Sequence, residues 1–101
     1  MQRWTAFMKK YFPDGALNDS TNVYAYGVAQ TMVQVIKQAG NELTRENVMK
    51  QAANLKNVDI DVLLPGIKIN TGPTDYAPIE SVRLARFDGK SWIGFGDVMG
   101  K

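Results

Sequence analysis

Apolar side chains recur at steps of three and four along residues 22–40, NVYAYGVAQTMVQVIKQAG: Ala25, Val28, Ala29, Met32, Ile36 and Ala39. That spacing stacks them on one stripe of a long helix, with Gln30, Gln34, Lys37 and Gln38 on the side left to water. Gly40 follows the last periodic residue, where a helix commonly ends on a residue without Cβ. Ser20, Thr21 and Asn22 are the candidate N-caps at the other end. A shorter helix precedes it over residues 1–12, where Trp4, Phe7, Met8 and Tyr11 make an aromatic stripe closed by Pro13, Asp14 and Gly15. After a tight turn, Thr44 opens a further helix through Asn54, with Val48, Met49, Ala52 and Leu55 expected inward and Leu43 stapled to Val48. The short connection predicts that these last two helices pack antiparallel.

From Lys56 the pattern changes to strand and loop. Ile67, Lys68, Ile69 and Asn70 alternate as a half-exposed strand does, and residues 71–75 form a turn cluster. The clearest strand signal is the last third, where residues 81–87 and 90–95 flank Asp88-Gly89, a two-residue hairpin turn. The predicted register sets Phe87 opposite Lys90, Ala85 opposite Trp92, Leu84 opposite Ile93 and Val82 opposite Phe95. Val82, Leu84, Ile93 and Phe95 then share one apolar face, with Arg83 and Trp92 on the other. A two-stranded ribbon of this kind needs a surface to cover it.

At 101 residues, 45% hydrophobic and 22% charged, the chain has the composition of one globular domain or a piece of one. The net charge of +2 is scattered, which argues against a nucleic-acid partner. Cysteine and histidine are both absent. No disulfide, thiolate or imidazole metal site is therefore available, nor the usual neutral-pH proton shuttle, and neither a cofactor nor an enzymatic activity is expected. Asp59 and Asp61 are a carboxylate pair two residues apart, with no third oxygen-rich residue nearby to make a cation site. The glycines of residues 94–100 lack the following helix that a dinucleotide loop needs. Asn22, Tyr24 and Tyr26 cluster at the start of the long helix, where the dipole favours anionic groups; the competing reading is that both tyrosines merely flank the buried stripe. No signal-peptide pattern opens the chain, and its abrupt helical start reads as a cut inside a larger structure.

Three motifs carry a family resemblance: Leu64-Pro65-Gly66-Ile67, Pro73-Thr74-Asp75-Tyr76, and the Arg86-Phe87-Asp88-Gly89-Lys90 hairpin. With the helices YAYGVAQTMVQVIKQAG and TRENVMKQAANL, this arrangement resembles the carboxyl-terminal part of type I periplasmic solute-binding proteins of branched-chain amino acid type ABC importers. The resemblance spans nearly the whole chain but only about the last quarter of a family member. It implies an α+β fragment of a two-lobed α/β fold: an antiparallel helix pair, then loop and β-hairpin. Residues 1–69 would belong to the first lobe, 70–79 to a crossing loop, and 80–101 to the second lobe. It also implies a periplasmic location, a small amino acid or carboxylate ligand in the full-length protein, and ABC importer membrane subunits as partners. The family's ligand-near position in this region falls at Asn22 or Tyr24. A fragment holding a little of each lobe is expected to bind no ligand tightly by itself, and to self-associate through its uncovered faces. The alternative is a small non-enzymatic interaction domain that pairs through its hairpin edge.

Overall fold

The computed structural model describes residues 1–100, a small α+β arrangement of three helices followed by one antiparallel two-stranded sheet. Helix α1 is Gln2–Tyr11, α2 is Ser20–Ala39 and α3 is Arg45–Ala52; the strands are β1, Ser81–Phe87, and β2, Trp92–Gly100. In α1 only Trp4 and Met8 are buried, while Phe7 and Tyr11 stay exposed with their rings 5.0 Å apart. The N-cap of α2 is Asp19 rather than the following residues. Its carboxylate accepts the Thr21 N–H at 2.8 Å, so an anionic side chain already occupies the positive end of the helix. Gly40 ends α2 with φ +61°, and Thr44 caps α3 by accepting the Asn47 N–H at 3.2 Å. Helix α3 stops at Ala52, two residues short of the expected end. Met49 and Leu43 are 64% and 62% exposed, so neither the inward Met49 nor the staple is present.

The largest departure is the face that α2 presents to the core. Val35 and Ala39 are buried, and Tyr26, Gly27, Gln30, Thr31, Gln34 and Gln38 are half-buried. Of the expected stripe only Ala39 is turned in; Ala25, Val28, Ala29, Met32 and Ile36 face outward instead. Polar links explain the rotation. Gln30 Oε1 accepts the Asp61 N–H at 2.9 Å, Tyr26 Oη donates to Asp61 Oδ2 at 3.3 Å, and Gln38 Nε2 donates to Gln51 Oε1 and to the Asn54 carbonyl. Gly27 lets the helix backbone approach the chain opposite, since a Cβ there would lie 3.0 Å from Val62 Cγ2. Side chains that read as solvated are thus partners for backbone that would otherwise be unpaired.

The core is small: Val35, Leu55, Ile60 and Ile69, with Val48, Ala52, Val58, Val62 and Leu63 against it. Residues 53–80 reach it without regular strands, with isolated bridges between Val58 and Ile69 and between Gly72 and Asp75. Ile67 and Ile69 are buried around a half-exposed Lys68, so the expected alternation holds. Thr71 is the anchor of this segment. Its N–H donates to the Leu55 carbonyl at 2.9 Å, and its Oγ1 accepts the Leu55 N–H at 2.9 Å and donates to the Ala52 carbonyl at 2.6 Å. Leu64-Pro65-Gly66-Ile67 closes a turn with Ile67 N–H on the Leu64 carbonyl and Gly66 at φ +87°, a conformation that suits glycine.

The hairpin forms, but two residues away from the expected register. Phe87 pairs with Trp92, Ala85 with Gly94 and Leu84 with Phe95. Residues 88–91 make a longer loop in which Asp88 Oδ1 accepts the N–H groups of Lys90 and Ser91, each at 2.8 Å. A shift of two preserves the faces, so Leu84 and Phe95 still share a side. Beyond Phe95 the register slips between Val82 and Leu84, and β2 continues to Gly100. Every residue of β2 is exposed, as is every residue of β1 except Ser81.

Candidate functional site

Two concavities are built by these elements. The first is an apolar groove of about 390 Å³ between α2 and residues 55–79. Its floor is the exposed flank of the core (Val35, Leu55, Ile60 and Ile69), and its walls include Val28 and Met32 on one side and Pro78 and Ile79 on the other. Tyr24 and Tyr76 stand at the rim, 72% and 74% exposed. The polar side chains inside are already committed: Thr31 Oγ1 donates to the Gly27 carbonyl at 2.8 Å, and Thr71 is bonded as above. An apolar groove without convergent free polar groups suits a hydrocarbon side chain or segment and offers little to orient an amino acid.

The second is a polar cleft of about 560 Å³ between residues 56–80 and the base of the hairpin, lined by Lys56, Lys68, Asp75 and Glu80 among others. Lys56 Nζ donates to the Thr71 carbonyl at 3.1 Å, and Lys68 is paired with Asp59. Both lysines are thus committed to local ties.

Asn22 and Tyr24, the sequence-derived ligand residues, do not meet in either concavity. Asn22 is half-buried with its amide donating to the Ala16 carbonyl at 3.0 Å, which ties the connector to the first turn of α2. Tyr24 reaches the apolar groove. Tyr26 turns away from both, packed edge-on to Phe7 at 5.2 Å and bonded to Asp61. Partial burial, followed by the charge and hydrogen bond of the Asp61 carboxylate, holds the Tyr26 phenol above its ordinary pKa. Asp59 and Asp61 part company as well: Asp59 pairs with Lys68 on the surface, while Asp61 also accepts Arg3 Nη1 at 3.3 Å. Each carboxylate thus has its own cationic partner.

The groove's far wall, Tyr76, Pro78 and Ile79, is not legible from the sequence, because residues 70–79 carry turn chemistry and no periodicity. Among the described residues no group of three or more acidic, histidine or cysteine side chains is placed to hold a metal ion. No helix among them is long and apolar enough to cross a membrane. No known family, curated protein or solved structure matches this chain.

Proposed function

We propose that this chain is the C-terminal segment of an extracytoplasmic substrate-binding protein that delivers amino acids or related small carboxylates to an ABC importer. It has no catalytic part in that process. The reading is carried by the three motifs that resemble type I periplasmic solute-binding proteins, and their local geometry supports it. Leu64-Pro65-Gly66-Ile67 is a glycine-requiring turn, Gly72 and Asp75 close the next one, and Asp88 organises the hairpin loop. The incomplete core adds support, since both α2 and the hairpin leave apolar faces for other segments to cover. On this reading Tyr24 and Asn22 lie near the ligand only when the remaining segments complete the cleft.

A second reading has one observation in its favour: the hairpin stands out from the core with exposed apolar side chains, as a ribbon that pairs with another chain would. The deciding experiment is the intact mass and compartment of the natural polypeptide carrying this sequence. The receptor reading expects a protein of two-lobed size released by osmotic shock. A free species of 11.2 kDa retained inside the cell would overturn it.

A further inference from the structure

We infer that the open edge of β1 is a docking site for an extended acidic segment of another polypeptide, which adds to the ribbon as a third strand. This rests on the reading in which the hairpin pairs with another chain, and it names the chemistry of that chain. The backbone supplies the first observation. Asp88 N–H donates to the Ser91 carbonyl at 3.1 Å, and along an antiparallel pair alternate residues bond across the ribbon. The N–H and carbonyl groups of Phe87 and Ala85 therefore point away from β2, and no described residue bonds them. An edge with such open donors and acceptors is a template for main-chain addition.

The second observation separates the two edges. Val82 pairs with Met99 and Leu84 with Phe95, so residues 96–98 of β2 stand opposite Arg83 alone. Gly96 turns to φ +70° in that bulge, and Val98 is carried against Gly66, where an added Cβ would lie 3.1 Å from Val98 Cγ2. A bulge interrupts the regular spacing that an incoming strand must match. Strand β1 has no extra residue, so its edge is the continuous one.

Charge is the third observation, and it identifies the occupant. Arg83 and Arg86 are the only charged residues of β1, and neither forms an ion pair among the described residues. The Arg83 guanidinium lies across Gly94, and as an exposed side chain it can swing to an added strand. Opposite charges on paired strands attract, and like charges repel. A second copy of β1 would bring four arginines and no acid to one interface. A strand with carboxylates three residues apart matches the spacing of Arg83 and Arg86.

The test adds a blocked six-residue peptide to the isotope-labelled full chain and follows amide exchange by NMR. The peptide has threonine at its ends, valine at its centre and glutamate at its second and fifth positions; its counterparts carry glutamine or lysine there. The glutamate peptide should slow exchange at Ala85 and Phe87 and leave Leu84 and Arg86 unchanged. It should bind about tenfold more tightly than the glutamine peptide. Arg83→Gln with Arg86→Gln should erase that preference, and Arg83→Glu with Arg86→Glu should pass it to the lysine peptide. Equal binding of all three peptides would overturn the acidic partner and leave the pairing reading standing. Protection confined to β2 amides would overturn the assignment to β1, and binding of none of the peptides would overturn inference and reading together.

Discussion

Single side chains do more to hold this chain than its periodic stripes do. Thr71 sits in what reads as turn sequence, yet it ties residues 70–72 to the end of α3 through both its backbone and its hydroxyl. Thr71→Val keeps the volume and removes the hydroxyl, leaving the buried Leu55 N–H without its acceptor. Unfolding by urea should show a loss of about 1–3 kcal/mol; an unchanged midpoint would mean that the hydroxyl is dispensable. Asp88 is the other such residue. The N–H groups of Ser91 and then Lys90 hold its carboxyl below the ordinary carboxylate pKa. A carboxyl lowered in the folded chain stabilises the loop at every pH above its unfolded value, and that contribution disappears as pH falls through the folded value. In an NMR titration the Lys90 and Ser91 amide shifts should therefore move together, below the usual carboxylate range. Asp88 was legible as a turn residue, but the loop length was not, because Asp-Gly also fits a loop in which aspartate caps two later N–H groups.

Helix extents follow from local chemistry, and helix faces do not. Gly40 and Thr44 set the ends of α2 and α3 as their residue types suggest, since capping depends on neighbours in sequence. The face of α2 depends instead on what lies across from it. This helix carries one broad apolar arc, with Val35 and Ala39 toward the edge that is buried and Ile36, Ala29 and Val33 toward the edge left outside, and periodicity alone cannot say how far the helix turns it from the core. The chain opposite supplies Asp61, Gln51 and Asn54, which need hydrogen-bond partners, and so the glutamine-bearing side turns in. Gly27 is the steric counterpart of that choice. Gly27→Val would drive methyl groups into Val62 and Ile60 and should cost about 1–3 kcal/mol in denaturant unfolding. The same substitution would be nearly silent if α2 turned the other edge of that arc to the core. The candidate ligand residues follow the same logic. Asn22 was legible as polar and near a helix start, but its commitment to Ala16 depends on a connector whose path no pattern encodes.

As a whole, the molecule is a thin layer with a modest core and two uncovered apolar surfaces. Its radius of gyration of 15.8 Å exceeds the value of about 13 Å for a closed domain of this length. The apolar arc of α2 is wider than the one layer packed on it covers. The receptor reading fills the missing layer with other segments of a longer protein, and it depends on the orientation of α2. The most direct measurement is a set of isotope-filtered intrachain NMR contacts from that helix. The structure predicts contacts from Val35 to Leu55, Ile60 and Ile69, and from Gly27 to Val62. Intrachain contacts from Ala29 and Ile36 to Ile60 and Ile69 would contradict it, and would return the apolar stripe to the interior.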